Sequence, residues 1–429
     1  MKRPILISLL AAAFLLVLAG IGAVILFTIN SGGNFVFNQS LTSATTEESK
    51  SLKVDGPVTL NVDDDAGSVT VVGADVEKVE VKVIKTGYAA TQSRAKEDLK
   101  NIKYEIKQDG NKITLLYNLG NVRTTHIDTV DFIVTVPSET TVNIENKLGE
   151  VSISETKGNV EIANDFGKVT AENIEGSLTV KNNSGEVTAT AIKAGNGNID
   201  LHSDFGEITL TQASGANITL DSNSGTITLD DVRATGELTT KTDFGNTKYE
   251  NVSANSLNVD TSSGKVSLLN LKISKELKVE DDFGDIELNQ AFAGSYDLHT
   301  NGGSIIVDGV KNKLKAYTDF GDITIENAQS VTLDLKTNGG KVQFSGSLGE
   351  GPHSVKSDFG EITMALPADT KLNVDLKTDF GGISSDIPLT ATLDGSSDKN
   401  HQIGTMNGGG DQLTVTTNGG SITIEALSK

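Results

Sequence analysis

The stretch Leu277-Lys278-Val279-Glu280-Asp281-Asp282-Phe283-Gly284-Asp285-Ile286-Glu287-Leu288 reads in two phases. Leu277, Val279, Asp281 and Phe283 share one parity before Gly284, and Ile286 and Leu288 share the other after it. Alternation with period 2 marks a strand with one buried face. The change of parity makes Gly284 a corner, with positive φ expected because glycine carries no Cβ to oppose it. The same reading fits Val374, Leu376, Thr378 and Phe380 before Gly381 with Ile383 after it, and Leu333, Leu335, Thr337 and Gly339 before Gly340 with Val342 and Phe344 after it. Two short strands thus flank each corner, and a polar stretch of about seven residues closes the unit.

The corner recurs. Gly-x-[Ile/Val]-x-apolar appears at Gly149, Gly167, Gly185, Gly206, Gly225, Gly264, Gly284, Gly303, Gly321, Gly340, Gly360, Gly381 and Gly420, with a degenerate copy at Gly245. Spacings run from 18 to 21 residues, with one double gap of 39 before Gly420. A repeat of about 19 residues suits one coil of a parallel β-solenoid, or β-helix. The fold class is therefore all-β, with residues 149–429 as the repetitive solenoid.

Seven corners share one motif: Asp165-Phe166-Gly167, Asp204-Phe205-Gly206, Asp243-Phe244-Gly245, Asp282-Phe283-Gly284, Asp319-Phe320-Gly321, Asp358-Phe359-Gly360 and Asp379-Phe380-Gly381. From Gly167 to Gly360 they alternate with corners led by Asn183, Asn223, Ser262, Asn301 and Asn338 that carry Ser or Gly in place of Phe. With coils about 4.8 Å apart, each Phe is expected inward, over a Ser or Gly above and below. Each outward Asp then lies about 10 Å from the next carboxylate of its column, where repulsion is modest. A coil of about 39 residues, stacking Phe on Phe and Asp on Asp, is the rival geometry.

Residues 52–148 alternate strand-like runs such as Val58–Val62, Ser68–Val72, Val79–Ile84, Lys112–Leu116 and Asp131–Val136 with turns. Ala95, Leu99 and Ile102 lie at helical spacing within 91–102. This region reads as first coils with a short inserted helix. Residues 31–51, rich in Ser, Thr, Asn, Gly and Glu, read as a flexible stalk. Before it, residues 5–29 form an uncharged run of 25, long enough to span a bilayer. Lys2 and Arg3 precede the run, which places the N-terminus in the cytoplasm and the rest outside. The run is longer than a signal-peptide core and no small-x-small site follows it closely, so residues 1–30 are expected to be an uncleaved transmembrane anchor.

Composition sets limits on chemistry. A net charge of −21 argues against nucleic-acid partners, which require clustered Lys and Arg. The absence of Cys removes disulfides, thiol nucleophiles and Cys-based metal sites. Asp-Phe-Gly is also a kinase metal-binding motif, but a catalytic motif occurs once, beside a Gly-rich loop and a catalytic-loop Asp; here it occurs seven times without them. No catalytic residue and no metal ligand is assigned. Calcium, the one cofactor worth weighing, needs six to eight converging oxygens. The nonapeptide of calcium β-rolls is absent, and Asp63-Asp64-Asp65 and Asp281-Asp282 read as solvated turns.

Val54-Asp-Gly-Pro-Val-Thr-Leu60, Val130-Asp-Phe-Ile-Val-Thr-Val-Pro137, Leu366-Pro-Ala-Asp369, Lys377-Thr-Asp-Phe-Gly-Gly-Ile383, Met406-Asn-Gly-Gly-Gly410 and Thr417-Asn-Gly-Gly-Ser-Ile-Thr-Ile424 resemble the bacterial putative-adhesin family of envelope proteins, whose function is unknown. The resemblance covers residues 52–429 and implies a cell-surface β-solenoid without catalytic residues. The expected role is adhesion, binding or envelope scaffolding, with a cell-wall glycan or a surface protein as partner and the membrane engaged through the N-terminal helix. An accessory role in envelope-stress signalling is the main alternative. A carbohydrate-active β-helix enzyme is another, disfavoured by short connections and the lack of Trp. The final strand, 421–425, is expected at an end of the stack with an unpaired edge that templates end-to-end assembly.

Overall fold

A computed structural model describes residues 41–119, 126–391 and 397–427. The proposed anchor at residues 5–29 lies outside them. Among the described residues, no helix is long and apolar enough to cross a membrane.

Each coil contributes one strand to each of two parallel ladders, as in Leu178–Ser184 before a corner and Val187–Ile192 after it. The register gives the coil length directly. Ile144, Ile162, Val180, Leu201, Leu220, Thr240, Val259, Val279, Leu298, Ala316, Leu335 and Val355 pair in succession, eleven steps of 18 to 21 residues. The 39-residue coil is therefore excluded. Apart from the position three residues before each glycine, inward positions are mainly apolar and buried in both ladders, as at Ile162, Val180 and Leu201 before the corner and Val169, Val187 and Ile208 after it. One continuous core results, as stacking requires when no single coil can bury its own apolar face.

A second bend completes the coil. Asn173, Ala191, Gln212, Asp231, Asn251, Asn270, Gln290 and Asn327 all have φ between 51° and 57°. They lie at equivalent places in successive coils, four residues after the first residue of the post-corner strand. This left-handed residue shifts the parity again, so Ile174, Ile192, Val232, Val252 and Leu271 point inward. Asn, Asp and Gln predominate here, and Asn and Asp tolerate this conformation best.

The ends depart from chain order. The first coil, Val58–Asp64 and Val69–Ala74, lies between the coil of Lys112–Tyr117 and Thr129–Pro137 and the coil of Thr140–Leu148 and Val151–Ser154. At the other end, Asp411–Thr417 and Ile422–Leu427 insert between His353–Ser357 and Ile362–Pro367 on one side and Leu372–Thr378 and Ile383–Ser385 on the other. The last strand in sequence is thus paired on both edges, and the expected unpaired edge at 421–425 is not there.

Antiparallel strands cover the ends. Tyr104–Asp109 pairs with Lys112–Tyr117, and Lys78–Ala89 pairs with Thr129–Pro137. Thr42–Lys53, expected to be stalk, instead pairs along its length with Lys78–Ala89. The helix Gln92–Asn101 has Thr91 as its N-cap and seats Ala95 against Ala44 and Ala89. At the C-terminal end His401–Met406 pairs antiparallel with Leu372–Thr378. Leu389–Ala391 and Ser397–Asp398 pair in turn with His401–Met406. This meander occupies the sequence interval read as a double gap. Such caps remove long bare edges that would otherwise recruit other chains.

Candidate functional site

The corner is built from four consecutive positions, and each faces a different environment. Three residues before the glycine, a buried polar column runs through the interior: Asn146, Asn164, Asn182, Ser203, Ser222, Thr242, Thr261, Asp281, Thr300, Thr318, Thr337 and Ser357. Most of these side chains fold back onto the bend, while the Thr242 and Thr261 hydroxyls are buried without a partner. Thr300 Oγ1 donates to the Gly284 carbonyl at 2.9 Å and accepts from the Gly303 amide at 3.1 Å. Asn164 Nδ2 donates to Asn182 Oδ1, and Asn146 Nδ2 to Asn164 Oδ1, both at 3.0 Å. The inside of the corner is therefore narrow and polar, closed by groups that satisfy its backbone.

Close approach explains the glycine. A Cβ on Gly340 would meet the Gly321 carbonyl oxygen at 1.9 Å, and one on Gly303 would meet that of Gly284 at 1.9 Å. Gly167, Gly185 and Gly264 also have the expected positive φ, from 134° to 141°. Gly284, Gly303 and Gly340 do not fall in that region, so the positive φ expected at Gly284 is not found and contact between coils is the more general constraint.

The phenylalanines do not point inward. Phe166, Phe205, Phe244, Phe283, Phe320, Phe359 and Phe380 are between 57% and 88% exposed. The hydroxyl or amide three residues before the glycine already fills the inside of the bend, so the residue next to the glycine is turned to the outer edge. The large and small residues nevertheless tile as expected, but on the outside. Phe166 pairs with Ser184, Phe205 with Ser184 and Ser224, and Phe244 with Ser224. A Cβ on Gly302 would meet Phe283 Cδ1 at 3.3 Å, one on Gly339 would meet Phe320 Cδ1 at 3.8 Å, and one on Gly419 would meet Phe359 Cδ1 at 3.3 Å. Each of these rings leans over the small residue of a neighbouring coil.

The inserted coil preserves the pattern in space. Asp358-Phe359-Gly360 and Asp379-Phe380-Gly381 are consecutive in sequence, yet Asn418-Gly419-Gly420 lies between them in the stack. A hollow of about 450 Å³ opens between Phe359 and Phe380, floored by Gly419 and Gly420 and flanked by Lys341 and Glu361. From Phe166 to Phe380 the rings span twelve coil steps, about 58 Å at strand spacing.

A polar row runs beside the rings. Asn183 Nδ2 donates to Asp165 Oδ1 at 2.7 Å, Asn223 to Asp204 at 2.7 Å and Asn301 to Asp282 at 3.1 Å. One step further back, His299 and Tyr317 make an edge-on contact at 4.8 Å, and Lys336 lies 5.0 Å from the Tyr317 ring centre. The Tyr317 hydroxyl donates to Asp319, which holds the phenol above its usual range.

The two acidic clusters divide between inside and outside rather than converging. Asp281 is buried and accepts from the Phe283 and Gly284 amides at 3.1 Å each, while Asp282 faces outward. Asp64 is fully buried and accepts from the Ala66 amide, whereas Asp65 accepts from the Leu119 amide and pairs with Lys147. Burial pushes the Asp64 carboxyl up to about 8 and raises Asp281 as well. The expectation of solvated turns thus fails for Asp64, Asp65 and Asp281, all of them buried. Among the described residues no group of three or more His, Cys, Asp or Glu side chains could hold a metal ion.

The model of the Toastrack DUF4097 family matches residues 58–309 and 284–425. The chain belongs to that family. The resemblance drawn from the Gly-x-Ile corners holds, and the Toastrack match spans the two ladders together with most of both capped ends. Two solved structures align over most of the Toastrack chain at low similarity. One is a putative cell adhesion protein from Clostridium sporogenes, with 11% identity, 90% of this chain and 100% of that chain covered, and a TM-score of 0.19. The other is a putative adhesin from Bacteroides fragilis, with 11% identity, 89% and 97% covered, and a TM-score of 0.20. No curated protein matches the chain.

Proposed function

We propose that this chain is a non-enzymatic binding protein of the cell envelope, anchored by residues 5–29 and adhering through its aromatic corner edge. The observation that supports this reading is the row of seven solvent-facing phenylalanines in a fixed two-coil rhythm. Phenyl groups left in water are disfavoured, and exposed aromatic rings repeated at a fixed spacing along one edge suit an interaction surface. Packing does not require these rings, because Ser184, Ser224, Gly302 and Gly339 hold the equivalent position in alternate coils. The stack serves as the rigid support that spaces the contacts. The test is retention of the full chain on isolated cell-wall material at moderate salt. Retention that falls when the corner phenylalanines are changed to serine supports the reading, and retention unchanged by those substitutions refutes it.

A further inference from the structure

We infer that the aromatic edge takes an uncharged, extended β-1,4-linked glycan laid along the coil axis; this rests on the binding role proposed above and names its ligand class. Three features of the edge converge on that chemistry. The first is its period. Rings recur every second coil, about 10 Å apart, each separated from the next by a Ser or Gly position. In an extended β-1,4-linked chain each sugar is turned over relative to its neighbour, so a given face returns at every second sugar. A two-sugar repeat thus meets a two-coil repeat in register, and the gain per ring is summed over the edge rather than lost to mismatch.

The second feature is width and depth. The strip is one ring wide, which suits a single strand of polymer rather than a broad protein face. Between Phe359 and Phe380 the glycines of the inserted coil open a hollow of about 450 Å³ between two phenyl groups. A pyranose presents apolar C–H faces to such rings while its equatorial hydroxyls point sideways.

The third feature is what flanks the rings. The Asp165, Asp204, Asp282 and Asp319 row offers carboxylate oxygens to hydroxyl donors, and Asn183, Asn223, Asn301 and Asn338 hold those carboxylates by hydrogen bonds between coils. The same row repels polyanions. It also disfavours a second copy of this chain, which would bring two acidic rows together on a chain of net charge −21. A neutral, hydroxyl-rich polymer meets neither penalty.

The test uses the full chain in mild detergent with cellohexaose and chitohexaose as probes, their tetrasaccharides as shorter forms, and an α-linked dextran as control. The expected result is binding of the β-linked hexasaccharides, weaker binding of the tetrasaccharides, and none of dextran. A variant with Phe205, Phe283 and Phe359 all changed to serine leaves no two neighbouring rings on the edge and should weaken the hexasaccharide at least about tenfold. A thermal melt of the variant within a few degrees of wild type confirms that it is folded, since serine occupies this position in alternate coils. Equal affinity for wild type and variant overturns the inference. So does an absence of binding by any β-linked probe, or a Phe-dependent dimer in sedimentation. If the oligosaccharides fail while retention on whole cell wall still depends on the phenylalanines, the glycan assignment falls and the binding role stands. If retention is also independent of them, both fall.

Discussion

Thr417 donates its hydroxyl to the Gly360 carbonyl at 3.0 Å across 57 residues of chain. Thr378 follows Gly360 far more closely in sequence, yet bonds to the Gly420 carbonyl at 2.7 Å. The last coil of the chain is therefore a wedge between two earlier ones, whose strands pair with it rather than with each other.

Amide exchange should report this insertion directly. Ile422–Leu427 is paired on both edges, whereas Ile383–Ser385 is paired only with Ile422–Leu427. The amides of Ile422 and Ile424 should exchange much more slowly than those of Ile383–Ser385, in spite of lying closer to the C-terminus. Faster exchange at 422–424 would place the last coil at the end of the stack. Deleting residues 411–429 should correspondingly melt residues 353–385 as well, which limited proteolysis would detect.

Gly340→Ala should cost about 3 kcal/mol, because its Cβ would overlap the Gly321 carbonyl and neighbouring coils cannot separate without breaking their ladders. Gly382→Ala meets no atom within 4 Å and should change stability by less than about 0.5 kcal/mol. Urea denaturation of the two variants makes the comparison. Equal losses would deny that close approach sets the glycine.

The buried hydroxyl column makes a separate prediction. Thr337 Oγ1 donates to the Gly321 carbonyl at 2.9 Å and accepts from the Gly340 amide at 3.0 Å. Thr337→Val keeps the shape but strands both partners, so it should cost about 1–3 kcal/mol. A neutral or stabilising effect would mean that the column contributes through volume alone.

Asp64 gives the fold a pH dependence of opposite sign to that of a salt-bridged carboxylate. Its carboxyl titrates at about 8 when folded and at about 3.9 when unfolded. Between these values the folded state binds the additional proton, so the contribution of Asp64 to stability is greatest below about pH 4 and declines as pH rises toward about 8. Asp64→Asn should flatten that part of the stability profile and raise the melting temperature at pH 8 relative to wild type. A profile left unchanged would assign the pH dependence to other groups. His353, held below its ordinary range by burial, acts in the other direction and costs stability in acid.

Much of the architecture was legible because stacking imposes period 2 on every inward column. The parity change at Gly284 located the corner, and the helical spacing of Ala95 and Leu99 located the inserted helix at Gln92–Asn101. The second bend leaves no fixed sequence signature, because Asn173, Ala191 and Gln212 share a backbone conformation rather than a residue type. The order of the end coils is not legible in the sequence because every coil presents the same edges, so local pattern does not say which neighbour it takes. One signal was available. Two Asp-Phe-Gly corners in succession, at Gly360 and Gly381, broke an alternation that Asn418-Gly419-Gly420 was left over to repair. Parity alone gives the wrong direction for the phenylalanines. Thr300, Thr318 and Thr337, polar at the last inward position of strands whose earlier inward positions are apolar, mark the bend as already filled.

The most direct test of the binding role is retention on isolated cell-wall material of the full chain against a variant with Phe166, Phe205, Phe244, Phe283, Phe320, Phe359 and Phe380 all changed to serine. Retention of wild type and loss of most retention in the folded variant is the predicted result. Equal retention of the two proteins, with the variant's melting temperature unchanged, would contradict it.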